Sequence, residues 1–323
     1  MIKTTQRKEY ISRINRVQDY IDKNISTKFS LEELASVANF SKFHFHRIFA
    51  AMIGETLNGY IQRIKLEKAA TLLIISPDLP ITDIWLDCGF SSSSVFARAF
   101  KDKFGKSASD WRKEKFQEFS NISQLDSNKS EVSSKLSEYF GDVLLTKNGD
   151  AKMKETLEII NPTKVEVKSI DEFTVAYIRY IGSYKGNSDL FSNLFTKLFN
   201  WAEPRNLIQF PETKVISIYH DNPEITDEDK LRTSVCLSVP VDTEVGGEVG
   251  KTKVAGTNYA IVSFELGGSQ DYQKAWNYVF SEWLPTSGYQ PDNYPSFELY
   301  LNNPEEHPEK IHIVDIYVPV KPI

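Results

Sequence analysis

The chain has 323 residues, of which 41% are hydrophobic and 12% aromatic, and its formal net charge is −6. Because a single hydrophobic core usually stops growing near ~250 residues, we expect more than one domain. Two cysteines are too few for a disulfide scaffold, and the chain holds no run of about 18 apolar residues, so a disulfide-rich secreted protein and a membrane-spanning protein are excluded.

The charge is divided unevenly along the chain. Residues 1–115 carry a net charge of +6, whereas residues 116–323 carry −12. The basic part suits a polyanion such as DNA, and the acidic part favours cationic ligands. The polar N-terminus, MIKTTQRKEY, lacks the apolar segment of a secretory signal, so we expect a cytoplasmic protein without a membrane contact.

Residues 10–111 show helical periodicity, and one helix-turn-helix pattern occurs in them twice. LEELA at 31–35 aligns with ITDIW at 81–85, and NFS at 39–41 aligns with GFS at 89–91. Further on, RIF and Gly54 align with RAF and Gly105. Each copy predicts a short helix, a tight turn and a second helix capped by Ser41 or Ser91. Ser30 is expected to cap the first helix, with Glu33 three residues later completing a capping box. The predicted units span residues 31–54 and 81–105 of a domain at 1–115.

The second helix of such a unit is the recognition helix, which places its N-terminal side chains in the major groove of DNA. A guanidinium can bond O6 and N7 of guanine together, so we expect Arg47 and Arg98 to be the main base contacts. The serine run of the second copy predicts weaker sequence selection there. The alternative is that these arginines are solvated surface residues. The predicted DNA contacts are Ser41, Lys42, Phe43, His46, Arg47, Ser92, Ser93, Ser94, Val95 and Arg98.

Residues 57–75 between the copies predict one 19-residue helix, about 28 Å long, which can hold the recognition helices near successive major grooves about 34 Å apart. His44 and His46 point to different faces of a helix, so no metal site is expected.

The pattern over residues 10–115 resembles the AraC/XylS family of regulators. The resemblance is carried by LEELASVANFSKFHFHRIF, GYIQRIKLEKAATLL and ITDIWLDCGFSSSSVFARAFKDKFGKSASDWRK. It implies a bacterial activator or repressor that binds DNA through both copies. The positions to which it gives base contacts are Phe43, His46, Arg47, Ser93, Ser94 and Arg98.

Residues 120–137 contain seven serines among other polar residues, which predicts a linker, assigned here to residues 116–158. From Val165 onward, alternating segments predict strands with two helical stretches between them. YHDNP at 219–223 matches YLNNP at 300–304, and VPV at 239–241 matches VPV at 318–320. The multidomain chain is therefore expected to end in an α+β domain at 159–323, made of a duplicated strand-helix-strand-strand unit.

The groove between two such halves is the expected ligand site of this domain. Strand alternation puts Glu298 and Tyr300 on one face, with Tyr219 at the position equivalent to Tyr300. Tyr177 and Trp276 are predicted to complete the aromatic lining of this ligand site. A carboxylate among aromatic rings predicts a lipophilic cation as ligand. The alternative is that Glu298 is solvated or salt-bridged on an exposed face.

Residues 160–323 look like the GyrI-like domain of multidrug-responsive regulators. The likeness rests on GSY at 182–184, PSFELYLNNP and DIYVPV, and it implies a ligand cleft with the acid at Glu298 as its central polar residue. We therefore predict a transcription regulator that is not an enzyme and needs no cofactor or metal, with duplex DNA, a small effector and RNA polymerase as partners. Two alternatives stay open: weak hydrolysis with Glu298 as base beside Tyr219 or Tyr300, and a protein-interaction module that binds polymerase or gyrase.

Overall fold

The computed structural model describes residues 2–123, 159–223 and 225–322, so most of the predicted linker lies outside the described residues. The chain divides into two compact parts, Met1–Phe116 with Glu244–Thr252 and Gln117–Thr243 with Lys253–Ile323. The helical domain denotes residues 2–123, and the sheet domain denotes residues 159–223 and 225–322, which include all nine strands. No helix of the described residues is both long and apolar enough to span a membrane.

The helical domain holds two helix-turn-helix copies joined by one long helix. Its helices are α1 (Ile2–Lys23), α2 (Leu31–Val37), α3 (Lys42–Ile53), α4 (Leu57–Ile75), α5 (Ile81–Asp87), α6 (Ser93–Phe104) and α7 (Ala108–Ser123). The connector α4 has the predicted bounds. The last helix, α7, continues past residue 115 into the segment predicted to be linker.

Local capping explains where these helices begin and end. Ser30 and Glu33 form the predicted capping box at α2. Gly54 and Gly105 end α3 and α6 with φ of 84° and 75°, a left-handed conformation that glycine adopts without strain. The predicted serine caps need correction. Ser41 precedes α3 without a side-chain cap bond, and α6 is capped by Ser92 rather than Ser91.

Both copies pack apolar side chains against α4. Phe45 and Phe49 of α3 are fully buried with Tyr60 of α4. In the second copy, Phe96 and Phe100 of α6 are equally buried. Phe45 and Phe49 precede Phe96 and Phe100 by the same offset that aligns the arginines, so the structure repeats the pattern of the sequence.

The sheet domain contains a nine-stranded antiparallel sheet with two helices on one face. Its elements are β1 (Lys164–Ile170), β2 (Phe173–Ile181), α8 (Ser188–Ala202), β3 (Val215–Tyr219), β4 (Arg232–Ser238), β5 (Gly250–Val254), β6 (Thr257–Leu266), α9 (Asp271–Asn277), β7 (Tyr289–Pro291), β8 (Ser296–Tyr300) and β9 (His312–Pro322). After α9, the helical path continues as a π-helical segment, Tyr278–Trp283.

The strand order is β1-β6-β9-β8-β3-β4-β2-β5, with β7 beside β9. This order reads the same from both ends when β1 is exchanged with β5, β2 with β6, β3 with β8 and β4 with β9. The predicted duplication, β2-α8-β3-β4 and β6-α9-β8-β9, is therefore confirmed. The two halves meet where β3 pairs with β8, and Ser217 lies directly opposite Glu298 there.

Register assigns each side chain to one of two faces. Val262, Ile316 and Val314 pack with the helices on one face, and Ile216, Leu299 and Cys236 form the core of the other. Strand β4 is not among the segments that alternation predicts, because it is buried on both faces and its sequence does not alternate.

Candidate DNA-contacting surface and buried carboxylate site

The recognition helix of the first copy presents its predicted contacts to solvent. Ser41, Lys42, His46 and Arg47 are exposed, and Phe43 is 73% exposed. Among the described residues, Arg47 has neither a hydrogen-bond nor an ion-pair partner. Lys42 forms an exposed ion pair with Glu32 at 3.3 Å, a contact that contributes little in water. This face is free to bind a ligand.

The second copy presents a matching but less basic surface. Ser93, Ser94 and Arg98 are exposed, and Val95 is 50% exposed. Arg98 has no polar partner in the part of the chain that the structure describes. Ser92 is half-buried, and its hydroxyl accepts a hydrogen bond from the backbone N–H of Val95, so it caps the helix.

The turn that precedes each recognition helix contains one residue with positive φ. This residue is Asn39 in the first copy, with φ of 52°, and Gly89 in the second, with φ of 69°. Asparagine and glycine are the residues that adopt this conformation most readily. The two turns are therefore built alike from different residues.

In the sheet domain, Glu298 is the centre of a polar cluster on the helix-covered face. Its side chain is 2% exposed. One carboxylate oxygen, Oε1, accepts a hydrogen bond from Nε1 of Trp276 at 2.7 Å. The other, Oε2, accepts from the hydroxyls of Tyr219 at 2.9 Å and Tyr300 at 2.7 Å. Four of the five predicted ligand-site residues are thus in direct contact.

The aromatic walls of the cluster cross the pseudo-twofold axis. Trp276 of α9 packs edge-on against Tyr219, with ring centroids 5.8 Å apart. Phe195 of α8 packs in the same way against Tyr300 at 5.6 Å. Each helix therefore covers the tyrosine of the other half. Neither half could form the cluster without its counterpart.

Burial and hydrogen bonding act on the Glu298 carboxylate in opposite directions. Burial raises the pKa of Glu298, while the hydrogen bonds from Trp276, Tyr300 and Tyr219 lower it. The pKa values of Tyr219 and Tyr300 lie well above the usual range, chiefly because of burial. Among the described residues, no lysine, arginine or histidine forms an ion pair with Glu298. The alternative of a solvated or salt-bridged glutamate is therefore wrong.

Tyr177 does not belong to this cluster. It pairs with Cys236 of β4, which pairs with Ile216 of β3, which pairs with Leu299 of β8. Directly paired residues point to the same face, and Leu299 neighbours Glu298 in its strand, so Tyr177 lies on the opposite face. It is fully buried in the core there.

Sequence reasoning missed several aromatic neighbours of the cluster. Tyr184 packs on Tyr219 with centroids 5.5 Å apart, and Phe280 stacks on Trp276 at 5.8 Å. Phe195 was also missed, although it precedes Trp276 by the same 81 residues that separate Tyr219 from Tyr300. Applying that offset to the helices would have found it.

Within the described residues, no three His, Cys, Asp or Glu side chains are grouped so that they could hold a metal ion.

Comparison with known families matches both domains. Residues 163–321 match the GyrI-like small molecule binding domain, and residues 34–114 match a helix-turn-helix domain.

Two curated relatives each match one part of the chain. A DNA gyrase inhibitor of Escherichia coli (strain K12) is 29% identical over 160 residues, which is 49% of this chain and 96% of that protein. A bifunctional transcriptional activator and DNA repair enzyme, AdaA of Bacillus subtilis (strain 168), is 34% identical over 99 residues, or 31% of this chain and 46% of that protein. Among solved structures, EcmrR in a complex with DNA is 16% identical, covers 86% of this chain and 99% of that chain, and has a TM-score of 0.42.

Proposed function

We propose that this chain, which joins an AraC-type helix-turn-helix domain to a GyrI-like small molecule binding domain, is a transcription regulator whose effector is a lipophilic cation. The observation that carries the proposal is the buried carboxylate of Glu298, which lies among aromatic rings without a cationic partner in the described part of the chain. DNA is the partner that the duplicated recognition helices fit.

The DNA-binding part of the proposal is supported by exposure and by repetition. Arg47 and Arg98 occupy equivalent positions on α3 and α6, and both are exposed. On the opposite side of these helices, Phe45 and Phe49 of α3 and Phe96 and Phe100 of α6 are buried. A guanidinium without an intramolecular partner can form the two-pronged contact with guanine that distinguishes base pairs.

The effector part of the proposal is supported by electrostatics. A buried carboxylate is costly unless charge or hydrogen bonds stabilise it, and within the described residues Glu298 has three hydrogen-bond donors but no cationic partner. A cation would supply the missing charge. The faces of Trp276, Tyr219 and Tyr300 would attract a quaternary ammonium group through their ring quadrupoles. A lipophilic cation gains from both contacts, whereas an anion would be repelled.

Calorimetric titration of the full chain with benzyltrimethylammonium tests the effector class. Its uncharged carbon isostere, neopentylbenzene, has the same shape and is the control ligand. We expect the ammonium compound to bind at least about 30-fold more tightly, because pairing a buried charge contributes a few kcal/mol. Equal affinity for both compounds would contradict the choice of a cation.

Selection of duplexes from a random DNA library by the purified chain tests the regulator. A recovered operator, bound with altered affinity when the ammonium compound is present, is the expected result. Recovery of random sequences only would contradict sequence-specific binding.

A second candidate function follows from the DNA gyrase inhibitors, which match this chain over nearly their whole length. In this alternative, the sheet domain binds a protein such as gyrase. A supercoiling assay with purified gyrase distinguishes the two proposals: inhibition by the full chain that persists in Glu298→Gln favours the protein partner.

A further inference from the structure

A buried ammonium group joins the turn that leads into the first helix-turn-helix copy to the turn inside the second copy. Lys65 lies on α4 and is 8% exposed. Its Nζ donates hydrogen bonds to the carbonyl oxygen of Thr27 at 3.0 Å and to that of Gly89 at 2.9 Å. Thr27 belongs to the turn before α2, and Gly89 belongs to the turn before α6. One charged group therefore binds the backbone of the turn that leads into the first copy and the backbone of the turn inside the second copy.

At the same point, the backbones of the turn before α2 and of the turn before α6 are in close contact. A Cβ atom built on Gly89 would lie 2.7 Å from the carbonyl oxygen of Ile25 and 2.7 Å from the carbonyl carbon of Ser26. Real Cβ atoms do not approach other atoms so closely, so only glycine allows this approach. The equivalent residue of the first copy, Asn39, carries a side chain at a similar φ. The turn of the second copy is thus specialised for contact with the turn that leads into the first copy.

A second set of buried charges connects the far ends of the recognition helices. Glu55, which follows the last residue of α3 by two positions, pairs with Arg63 of α4 at 2.6 Å. Arg63 pairs with Glu67 at 3.0 Å, and Glu67 pairs with Lys103 in the last turn of α6 at 3.1 Å. Arg63 and Glu67 are buried. The chain of ion pairs therefore runs from the end of α3 through α4 to the end of α6.

Buried charges require specific partners, because a buried charge without a partner is strongly destabilising. Groups of this kind hold one arrangement of their partners more strictly than apolar contacts, which tolerate sliding. The junction formed by Lys65 and Gly89 acts close to the start of α6. The ion pairs act at the ends of α3 and α6.

We propose that the junction of Lys65 and Gly89 positions the two recognition helices relative to each other and so sets the spacing between DNA half-sites that the chain accepts. This inference rests on the proposed DNA-binding function. Adding one base pair between half-sites turns the second by about 34° and moves it by about 3.4 Å, so a rigid pair of helices discriminates between spacings.

The test measures mobility shifts of the full chain on duplexes whose two selected half-sites are separated by spacers differing in single base pairs. Duplexes with a single half-site give the affinity of each recognition helix for its own half-site. Lys65→Met removes the charged donor, and Gly89→Asn introduces the side chain found at Asn39. Their matched controls are Asn39→Gly and Lys68→Met. Lys68 is a half-buried lysine of α4 with no hydrogen-bond partner among the described residues.

For the wild-type chain and both controls, we expect one spacer to be preferred by about tenfold over its neighbours, a ratio within the range of one charged hydrogen bond. Lys65→Met and Gly89→Asn are expected to reduce this ratio to about twofold or to shift the preferred spacer, with unchanged affinity for single half-sites. Lys65→Arg retains a charged donor and is expected to keep the wild-type preference.

Two results would overturn the inference while leaving the proposed function intact. One is an unchanged spacer preference in both Lys65→Met and Gly89→Asn. The other is an equal loss of affinity on single and paired half-sites, which would show that the junction supports folding only. Absence of any sequence preference in the wild-type chain would instead refute the proposed DNA-binding function itself.

Discussion

The helical domain and the sheet domain both arise from duplication, but the copies are used differently. In the helical domain, each copy keeps an exposed arginine at the equivalent position, Arg47 or Arg98, on a helix of the same length. In the sheet domain, the two halves contribute unlike residues, Ser217 and Glu298, to one central position. The first duplication repeats a surface, and the second builds a single site.

The physical reason lies in the spacing of the repeated residues. The recognition helices lie on separate copies, so each can meet its own stretch of a repeating duplex. Ser217 and Glu298 face each other across paired strands, where side chains lie about 5 Å apart. Two buried carboxylates at that distance could not both ionise. One half therefore carries a charge and the other a small hydroxyl.

The largest expected effect tests whether the two halves of the sheet domain contribute differently to ligand binding. Glu298→Gln keeps the shape of the side chain and removes its charge, so affinity for benzyltrimethylammonium should fall by about 30-fold or more. Ser217→Ala, on the opposite strand, should leave the affinity within about threefold. Calorimetric titration of both variants measures the difference. Equal losses would mean that the halves contribute alike.

The same substitution should change how stability depends on pH. Burial raises the pKa of Glu298 in the folded chain, so the folded state binds more protons than the unfolded state. The resulting contribution to the free energy of unfolding is fully present below the pKa that Glu298 has in the unfolded chain. It is lost as the pH rises through the pKa that Glu298 has in the folded chain. Tyr219 and Tyr300 do not ionise in this range. Urea unfolding at several pH values should therefore show a free energy of unfolding that declines as the pH rises, and Glu298→Gln should reduce this decline. Identical slopes of the free energy against pH in the two proteins would contradict the prediction.

The next effect tests the equivalence of the helical copies. Arg47→Ala and Arg98→Ala should each weaken binding to the selected operator by about 5- to 150-fold, with little change on random DNA, because each removes one guanine contact. The serine-rich second copy is predicted to select sequence less strictly, so Ser94→Ala should have a smaller effect than Arg98→Ala. Mobility-shift titration on specific and random duplexes decides this. Equal losses on both DNAs would rule out base contacts.

A smaller effect compares the two tyrosines that bind the carboxylate. Tyr219→Phe and Tyr300→Phe each remove one hydrogen bond to Oε2 of Glu298, so each should change effector affinity by about 2- to 10-fold. Because the two residues are related by the pseudo-twofold axis, the changes should agree within about threefold. Titration of both variants with benzyltrimethylammonium checks the agreement. A change confined to one variant would show that the ligand contacts only one half.

The smallest effect distinguishes phosphate contacts from base contacts. Lys101 is exposed, whereas Lys103 on the same helix pairs with the buried Glu67. Lys101→Ala should weaken binding to all sequences alike and reduce the slope of log affinity against log salt by about 1. Arg47→Ala is the comparison, since its loss depends on sequence. An unchanged slope for Lys101→Ala would exclude a phosphate contact at this position.

Much of the fold followed from periodic patterns that act locally. The apolar spacing of α4 predicted its bounds, and Ser30 with Glu33 predicted the start of α2. Alternation in β8 placed Glu298 and Tyr300 on one face. The repeated unit implied a strand at β4, but alternation did not reveal it because β4 is buried on both faces. Tyr177 was assigned to the wrong face. Alternation orders the residues within one strand, whereas the common face of two strands depends on their register.

The sequence by itself therefore determined the two duplications, the exposed arginines and the acid at Glu298, since each depends on spacing over a few turns or on a repeated offset. Only the tertiary structure decided which groups meet. Tyr219 reaches a carboxylate 79 residues away, and Lys65 binds carbonyls 38 and 24 residues away. Such contacts depend on strand order and helix packing, which bring together distant residues that share no local pattern.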